Sequence, residues 1–351
     1  MIKAAIVGVG WWGRTLVESV QGQSDQLTFV AAGAHRATPE LTRFAETHRM
    51  RLFLDYESLL HEPSIDAVVL ATPHSLHVPQ LVAAANAHKH VYCEKPLALS
   101  LADAERAIEA VERNRVTLMV GYNRRFHPEM VHLREMVRKG ELGTLLHVES
   151  TMSFPNALTL PAEHWRARRE ETPCGGLTPM GVHALDAMID LCGTVSRVHC
   201  QSTRRAVPID ADDTTSILLS MDSGVSGYLG LMTATAAGFA IQVYGTAGTV
   251  RLEGTTHTTG ATAEERRSRL FGECSFTALD GAKQRWEAAH FDVSRAALDA
   301  FARAAVLDDQ PPIPYEQILH GVAVTEAVVR SAASRQPVTV ARGATGSRAS
   351  A

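Results

Sequence analysis

Short, uniformly apolar runs alternate with amphipathic segments along the first 120 residues of the chain. Such runs are typical of strands buried on both faces of a sheet, and the segments between them have the spacing of surface helices. The apolar runs lie at residues 3–7, 27–34, 52–54, 66–71, 90–94 and 117–120. In one intervening segment, Leu101, Ala104 and Ile108 recur at helical spacing. Strands that alternate with helices predict a doubly wound parallel sheet in an α/β fold.

The pattern changes after residue 121, where strand-like segments follow one another directly. Predicted strands lie at residues 145–154, 196–204, 214–221, 225–232, 239–245 and 249–252. Hairpin turns such as Asp222-Ser223-Gly224 separate them, which is typical of antiparallel pairing. Helical patterns lie at residues 126–139, 176–192, 293–307 and 315–334. Residues 122–341 are therefore predicted to form an α+β domain with a mostly antiparallel sheet.

Composition and charge narrow the class of protein. The 351 residues carry a formal net charge of -4, which gives no reason to expect a nucleic-acid or anionic-membrane partner. No apolar run approaches the ~18 residues of a membrane span. The five cysteines are scattered, which favours a reducing, cytoplasmic location over a disulfide frame or a zinc site. The polar composition predicts a mobile loop at residues 254–268 and a disordered tail at 342–351.

Three glycines follow the first predicted strand in the stretch Gly8-Val9-Gly10-Trp11-Trp12-Gly13. In this pattern the first glycine permits a tight turn, the second lets the backbone approach a pyrophosphate, and the third lets helix and strand pack closely. The helix that follows offers free N–H groups to the phosphates. Residues 1–121 are therefore predicted to form a Rossmann domain that binds a dinucleotide, with this stretch in contact with it.

The end of the second predicted strand bears on the choice of cofactor. An acidic residue there would accept hydrogen bonds from the ribose 2′-OH of NAD, and the chain has none at this place. It carries His35 and Arg36 instead, followed by Thr38, and a guanidinium suits the 2′-phosphate of NADP. The sequence therefore favours NADP over NAD. The alternative is that His35 and Arg36 merely begin a solvated helix.

The fourth predicted strand ends in a segment, residues 71–77, that is expected to lie against the cofactor. Thr72, Pro73 and His77 are the residues assigned to that contact. His74 and His77 also have a spacing that some metal sites use. No carboxylate or thiolate partner is evident nearby, so no metal is expected.

The fifth predicted strand ends in Glu94-Lys95-Pro96. Proline stops strand pairing and restricts the residue before it, so Lys95 is presented on a stiffened backbone. Ligands of open α/β sheets bind at the carboxyl ends of the strands, where this lysine is placed. The alternative is an ordinary surface Lys-Pro turn.

Several of these motifs together resemble the Gfo/Idh/MocA family, which is named after glucose–fructose oxidoreductase, inositol dehydrogenase and MocA. They occur in that family's order and spacing, from residue 1 to about residue 340. The motifs are Gly8-Val9-Gly10, Ala71-Thr72-Pro73-His74-Ser75-Leu76-His77, Glu94-Lys95-Pro96, Gly121-Tyr122-Asn123-Arg124-Arg125-Phe126 and Gly175-Gly176 with Gly181-Val182-His183-Ala184-Leu185-Asp186. The resemblance implies an NAD(P)-dependent oxidoreductase that transfers a hydride between nicotinamide C4 and a secondary alcohol or ketone of a sugar, polyol or cyclic diol.

The resemblance also implies which residues take part in the chemistry. Lys95 is expected to be the fixed positive donor to the reacting oxygen, and His183 the group that carries the proton. The two roles are exchangeable at this stage. The residues expected to arrange the cofactor and the lysine are Glu94, Pro96, Asn123 and Arg125. Similar proteins lead us to expect a cis peptide before Pro96.

One position departs from the family pattern. Similar proteins carry an aspartate four residues before the histidine, and here that position is Pro179. Either Asp186, which lies on the same helix face as His183, or a water molecule takes its place, or the substrate differs from the usual sugar. Two other functions remain alternatives, a non-catalytic NAD(P)-binding regulatory protein and a nicotinamide-assisted lyase or glycosidase.

The polar segment 156–174 supplies the predicted substrate site. His164, Trp165 and Arg166 combine aromatic rings with a cation, which suits a polyhydroxylated ring, and Asp186 is assigned to the same site. The alternative is that Trp165 only fills space at the domain junction. The resemblance further implies a homodimer or homotetramer formed through the C-terminal sheet.

Overall fold

The chain divides into two compact units. They are Met1–Asn123 with Asp292–Leu319, and Arg124–Phe291 with the chain from His320 onward. The structure is a computed structural model, and it describes residues 1–254, 263–307 and 310–343. Most of the predicted mobile loop, at 255–262, and most of the predicted tail, from 344 onward, lie outside the described residues. The described part of the chain contains no helix with the length and apolar character that crossing a membrane requires.

Six strands of the first unit form one parallel sheet. In chain order they are β1 Ile2–Val7, β2 Leu27–Gly33, β3 Arg51–Phe53, β4 Ala67–Leu70, β5 His90–Cys93 and β6 Leu118–Val120. The helices between them are α1 Trp11–Val20, α2 Pro39–Thr47, α3 Tyr56–Leu60, α4 His74–Asn86 and α5 Leu101–Asn114. The strand order β3-β2-β1-β4-β5-β6 changes direction between β1 and β4, which confirms the predicted doubly wound sheet.

The carboxyl ends of these strands are aligned. Val7 pairs with both Gly33 and Leu70, Leu70 pairs with Cys93, and Cys93 pairs with Val120. The strands β4, β5 and β6 are almost completely buried, which is why their register is strongly specified. The segments that follow β1, β2, β4, β5 and β6 therefore begin in one row, at one edge of the sheet.

Nine strands of the second unit form a second sheet. They are β7 Leu145–Ser153, β8 Val195–Thr203, β9 Thr214–Met221, β10 Ser226–Met232, β11 Gly238–Gly245, β12 Gly248–Gly254, β13 Phe271–Ala278, β14 Lys283–Glu287 and β15 Val338–Thr339. Their order is β14-β13-β12-β11-β7-β10-β9-β8-β15, and among the described strands only β7 and β10 pair in parallel. The predicted mostly antiparallel sheet is confirmed. The sequence pattern did not predict the last three strands, since β14 is an exposed edge strand and β15 has two residues.

The remaining helices are α6 Pro128–Arg138, α7 Val182–Cys192, α8 Ala263–Ser268, α9 Val293–Leu307 and α10 Tyr315–Ser334. The predicted helix at 126–139 starts later than expected. A 3-10 helix, Asn123–Phe126, comes first, and His127 then caps α6. Pro128 fixes the start of α6, because proline is favoured in the first turn of a helix and disfavours a helical residue before it.

The predicted helix at 176–192 also differs at its start, where the turn Leu177–Gly181 is a π-helix. The N–H of Gly181 donates to the carbonyl of Gly176 at 2.9 Å, which is a five-residue step. Pro179 has no N–H, so it cannot contribute a regular α-helical hydrogen bond at this place. The regular helix α7 begins only after this turn and packs on β7 and β10.

Helix α9 belongs to the first unit, whereas the sequence-based division placed all of residues 122–341 in the second domain. It packs against α1, β2 and β5. The ring of Phe301 is fully buried and lies edge-on to Tyr92, with 5.9 Å between the ring centroids. The apolar periodicity of α9 shows that one face is buried, but it does not show which sheet buries it.

The hydroxyl group of Tyr92 is buried and meets no hydrogen-bond partner among the described residues. A buried polar group without a partner costs about 1–3 kcal/mol. We therefore predict that Tyr92→Phe raises the free energy of unfolding by about 1 kcal/mol, measured by urea denaturation.

The matched control is Tyr315→Phe. The Tyr315 hydroxyl accepts the N–H of Leu118 at 3.1 Å, so its removal is expected to lower the free energy of unfolding by about 1 kcal/mol. A Tyr92→Phe protein less stable than its parent would contradict the prediction.

Candidate active site

The glycine loop after β1 is packed so closely that two of its glycines admit no side chain. Gly8 has a φ of 93°, and a Cβ there would lie 2.6 Å from the carbonyl oxygen of Ala71. A Cβ at Gly13 would lie 2.2 Å from the carbonyl oxygen of Gly8. These are the tight turn and the close approach of helix and strand that the motif predicts.

Gly10 has open space beside it instead. A Cβ there would meet no atom within 4 Å, and Gly10 is the N-cap of α1 without a side chain that caps the helix. The first N–H groups of α1 can therefore receive a ligand, and the helix dipole favours an anionic one. Trp11 is exposed beside the loop, and Trp12 is half-buried. The loop thus fits the pyrophosphate of a dinucleotide.

The residues after β2 lie at the carboxyl edge of the sheet. His35 and Arg36 are both exposed. Thr38 has another role, because its hydroxyl accepts the N–H of Leu41 at 3.2 Å and so caps α2. The assignment of His35 and Arg36 to the cofactor stays a prediction.

Sequence reasoning missed a second cation near this strand end. The Nε of Arg14 donates to the carbonyl of Val9 at 3.4 Å, and its Nη2 lies 3.8 Å from the carboxylate of Glu40. Its guanidinium also lies over the ring of Phe44, 5.3 Å from the centroid. Arg14 therefore lies between the glycine loop and α2. The signal in the sequence was its position directly after Gly13.

His77 joins the segments that follow β4 and β5. Its Nδ1 lies 2.8 Å from the carbonyl oxygen of Pro96, and its Nε2 lies 2.9 Å from the carbonyl oxygen of Thr72. Both partners accept hydrogen bonds, so both contacts are satisfied only when each ring nitrogen carries a proton. The side chain is completely buried. His77 thus holds two loop segments together, and its predicted contact with the cofactor stays a prediction.

The residues around His77 also serve the loop. The hydroxyl of Thr72 donates to Oε1 of Gln80 at 2.6 Å, and Pro73 is the N-cap of α4. The ring of His74 lies 5.8 Å from that of His77. Across the described ranges, no group of three or more histidine, cysteine, aspartate and glutamate side chains is arranged to hold a metal ion.

Glu94 and Lys95 follow β5 on a backbone that is fixed from several sides. The Lys95–Pro96 peptide is cis, as expected. The N–H of Lys95 lies 3.3 Å from Oε2 of Glu94, and the lysine is partly exposed. The Glu94 carboxylate is buried against Gly121, where a Cβ would lie 2.8 Å from its Oε1. Glu94 can therefore hold this position only because residue 121 has no side chain.

The first unit brings most of the predicted cofactor residues to the carboxyl edge of its sheet. Those that follow its aligned strands are Gly8, Gly10, Trp11, Trp12, Gly13, His35, Arg36, Thr72, Pro73, His77, Glu94, Lys95, Pro96 and Asn123. The amide of Asn123 donates to the hydroxyl of Ser294 at 3.3 Å, which ties the segment after β6 to the first turn of α9.

Arg125 was predicted to arrange the cofactor, and its guanidinium is held by two aspartates of the second unit. Its Nε and Nη2 donate to the two carboxylate oxygens of Asp186 at 2.7 and 2.6 Å, and its Nη1 lies 3.2 Å from Asp190. Arg134 completes the network, since its Nε donates to Asp190 at 2.7 Å and its Nη2 to the Arg125 carbonyl at 2.9 Å. The network joins the 3-10 helix, α6 and α7.

Asp186 was predicted to contact the substrate or to replace the aspartate absent at Pro179. Both of its oxygens face Arg125 instead. Burial raises the pKa of Asp186 to about 6, and the attraction and hydrogen bonds of Arg125 oppose that rise. The bidentate pair favours the ionised carboxylate at neutral pH. The geometry gives Asp186 a positioning role, and its substrate contact stays a prediction.

His183 lies in the first turn of α7, one turn before Asp186, and is 7% exposed. Residues three apart share a helix face, so the pairing of Arg125 with Asp186 fixes the face that carries His183. Pro179, where similar proteins have an aspartate, lies inside the π turn before α7.

The predicted substrate residues of the polar loop form a stack. The rings of His164 and Trp165 lie 5.8 Å apart at 25°, and the guanidinium of Arg166 lies 4.4 Å from the centroid of Trp165. Nδ1 of His164 accepts the N–H of Arg166 at 3.1 Å, which fixes this turn. Burial, and then the charge of Arg166, lower the pKa of His164. Aromatic faces beside a cation suit a polyhydroxylated ring.

The strand order, the glycine loop beside the switch point and the open N-terminus of α1 define an NAD(P)-binding Rossmann domain. The model of the oxidoreductase family with an NAD-binding Rossmann fold matches residues 2–122, and that of the GFO/IDH/MocA C-terminal domain matches residues 130–251. The chain belongs to the Gfo/Idh/MocA family of oxidoreductases, as its motifs implied.

Individual relatives agree with this family. The rhizopine catabolism protein MocA of Rhizobium meliloti is 31% identical over 70% of this chain and 76% of its own length. The myo-inositol 2-dehydrogenase of Thermotoga maritima is 26% identical over 76% of this chain and 80% of its own length. The crystal structure of aldose-aldose oxidoreductase from Caulobacter crescentus, complexed with glycerol, has a TM-score of 0.84 and 25% identity, covering 97% of this chain and 99% of that one.

The buried pair of Arg125 and Asp186 leads to a prediction about stability. Lysine cannot reproduce the two parallel hydrogen bonds of the guanidinium, so Arg125→Lys leaves Asp186 buried with an incomplete partner. We expect the free energy of unfolding to fall by about 3 kcal/mol, measured by urea denaturation.

An exposed ion pair provides the control. Arg51 is 69% exposed and lies 2.7 Å from Glu62, so Arg51→Lys is expected to cost less than about 0.5 kcal/mol. Equal, small losses in the two variants would show that the buried pair does not stabilise the second unit.

Proposed function

We propose that this protein transfers a hydride between C4 of a nicotinamide cofactor and a secondary alcohol or ketone of a sugar, a polyol or a cyclic diol. The observation that carries the proposal is the place of Lys95, directly after β5 at the edge where the glycine loop also lies. When bound, the nicotinamide supplies the hydride acceptor or donor. The chain then has to orient the substrate and to stabilise the charge on its oxygen.

Lys95 is the proposed donor to that oxygen. Negative charge develops on the oxygen as the hydroxyl proton leaves, and a fixed ammonium group stabilises it. The contact of Glu94 with Gly121 and the hydrogen bond of His77 to Pro96 hold the segment that carries the lysine. A donor held in this way does not have to reorganise during the reaction, which is the condition for a large electrostatic effect.

His183 is the proposed carrier of the hydroxyl proton. An imidazole ring nitrogen can accept a proton and return it, which is the task of a general base. The network of Arg125 and Asp186 supports the position of the helix face that carries it. The two roles are exchangeable, because a lysine beside a cationic ring can itself become a base.

The substrate class rests on the stack of the second unit. His164 and Trp165 offer aromatic surfaces to the C–H face of a ring, and Arg166 offers a cation to its oxygens. The names of the relatives, among them a myo-inositol 2-dehydrogenase, support a polyhydroxylated ring. Arg166 suits a carboxylate equally well, so a cyclic diol acid belongs to the same proposal.

NADP is the proposed cofactor. Arg36 is exposed after β2, where the ribose of a bound dinucleotide is expected, and the chain has no acidic residue at this strand end. Arg14 adds a second guanidinium between the glycine loop and α2. Two cations near one strand end favour a 2′-phosphate over a 2′-hydroxyl.

We further propose a homodimer or homotetramer that forms through the uncovered face of the second sheet. Gly227 of β10 lies close to Met188 of α7, which covers the opposite face. The uncovered face carries Leu218, which is 56% exposed, beside Tyr228 and His199 on the neighbouring strands. An exposed leucine in the middle of a sheet supports burial against a second copy.

The five cysteines are free thiols, which supports a reducing compartment such as the cytoplasm.

Replacement of the lysine tests the chemistry. Lys95→Met is expected to lower kcat by about 10²–10³-fold, the usual loss when one donor to a developing oxyanion is removed. NADPH binding is expected to change little. Turnover is followed by nicotinamide absorbance on a panel of polyols, keto-sugars and cyclic diols, and binding is followed by fluorescence.

The control variant is Lys139→Met, which removes an exposed lysine at the end of α6. Full turnover in Lys95→Met would exclude Lys95 from the chemistry. A parent protein that binds NADPH and converts no member of the panel would favour a regulatory role. Product formation with retained cofactor and no net absorbance change would favour a nicotinamide-assisted lyase or glycosidase.

Charge reversal at the second strand end tests the cofactor. Arg36→Asp is expected to weaken the binding of NADPH relative to that of NADH by about tenfold or more. The change removes a hydrogen bond to the charged 2′-phosphate and adds a carboxylate that repels it. Dissociation constants of both cofactors are measured for the parent, for this variant and for Arg43→Asp, an equal charge change at an exposed site on α2. An unchanged preference in Arg36→Asp would defeat the NADP assignment.

A further inference from the structure

Two buried hydrogen-bond donors in one turn of the second unit have no acceptor among the described residues. They are Nη1 of Arg124 and Nε2 of His127. Arg124 is 6% exposed and His127 is completely buried. Buried polar groups in proteins are nearly always paired, so two orphans in one turn of the chain require an explanation.

His127 is held in one tautomer by the helix that it caps. Its Nδ1 accepts the N–H of Glu129 at 3.2 Å, so the proton of the neutral ring lies on Nε2. Burial, and then the charge of Arg124, lower the pKa of His127 to about 4, which keeps the ring neutral at physiological pH. Nε2 is therefore a donor, and it cannot act as a metal ligand.

Arg124 contrasts with its neighbour Arg125. No acidic side chain in the described ranges forms an ion pair with Arg124, and its guanidinium lies 4.4 Å from the ring centroid of Phe239. Burial lowers the pKa of Arg124 to about 9, so the group is still cationic at neutral pH. The face of an aromatic ring attracts the guanidinium cation. It cannot accept hydrogen bonds from the N–H groups at the edge of the guanidinium. The charge and one N–H group are left without a counterpart.

The two side chains contact one aromatic cluster. The N–H of His127 donates to the carbonyl of Arg124 at 3.1 Å, so both belong to the same turn. The ring of Phe271 lies 5.4 Å from Phe239 and 4.8 Å from His127, and Phe291 lies 5.8 Å from His127. Apolar walls around a cation and a second donor strengthen any interaction with an anion, because they exclude water.

We propose that Arg124 and His127 form a binding site for a small oxyanion, and that its occupant is the carboxylate of an organic acid. One oxygen accepts from Nη1 of Arg124 and the other from Nε2 of His127. A carboxylate offers one oxygen to each donor, and it neutralises the buried charge. A water molecule can accept from both donors, but it would leave the charge uncompensated. The proposal concerns binding, so it does not depend on hydride transfer.

The test measures binding of named anions to the full-length protein by calorimetry. D-glucuronate and acetate are compared with D-glucose, which lacks the carboxylate, and with inorganic phosphate, which is an oxyanion of another shape. We expect saturable binding of the two carboxylates that D-glucose does not displace, and binding of phosphate at least tenfold weaker than that of D-glucuronate.

Two variants remove one donor each. Arg124→Met is expected to weaken the binding of D-glucuronate by tenfold or more. It is also expected to raise the melting temperature, because it replaces an unpaired buried charge by an apolar side chain. His127→Asn keeps an oxygen that can cap α6 but removes Nε2, so we expect a loss of several-fold. Arg138→Met, at an exposed arginine of α6, is the control for charge and should bind as the parent does.

A spectroscopic measurement on the parent protein makes the test independent of the variants. The ¹⁵N and ¹H signals of His127 Nε2 are expected to shift on addition of D-glucuronate and not on addition of D-glucose. Unshifted signals together with no saturable carboxylate binding would overturn the site. Binding of equal strength in Arg124→Met would do the same, and binding of phosphate alone would overturn the carboxylate assignment.

Discussion

Backbone hydrogen bonds cross the carboxyl edge of the parallel sheet, and the proposed chemistry depends on four of them. The N–H groups of Gly8, Ala71, Glu94 and Gly121 donate to carbonyls of neighbouring strand ends at 3.3, 2.8, 2.9 and 2.8 Å. Each bond lies where a strand ends and a functional segment begins. Because both faces of the sheet are buried, a slip of one residue would turn every side chain to the wrong face. The register therefore delivers the glycine loop and the proposed catalytic lysine to fixed places at one edge.

Close packing then determines which residues this edge tolerates. A side chain at Gly8 or Gly13 would collide with backbone, and a side chain at Gly121 would collide with the carboxylate of Glu94. Backbone cannot move aside without breaking the hydrogen bonds of the edge, so these positions are closed to larger residues. His77 adds a polar constraint, because it binds the carbonyls of Thr72 and Pro96. The segment that carries Lys95 is thus fixed by backbone hydrogen bonds, by glycines that admit no side chain, and by the buried imidazole of His77.

How well the sequence predicts a feature depends on how far apart along the chain the interacting residues lie. The glycine loop and the two kinds of sheet have local signals, because periodicity and turn residues act over a few positions. The pairing of Arg125 with Asp186 joins residues 61 positions apart, and no local pattern announces it. The position of α9 is likewise not predicted by a local pattern. Its apolar periodicity shows that one face is buried, but not which of the two sheets buries that face. Motifs therefore indicated polar residues of interest, but not whether their polar atoms were already committed to partners within the protein.

Arg124 and Arg125 show how much that commitment matters. Both are buried in one short turn, and both would incur a large desolvation cost if left alone. Arg125 recovers this cost through two aspartates, so it stabilises the unit and positions α7. Among the described residues, Arg124 lies over an aromatic ring, which compensates part of its charge but leaves its Nη1 without an acceptor. A protein selected for stability alone would carry an apolar residue there. The uncompensated charge of Arg124 instead destabilises the protein without a ligand, and a bound anion removes that cost. The proposed site therefore links lower stability without the ligand to affinity for the ligand.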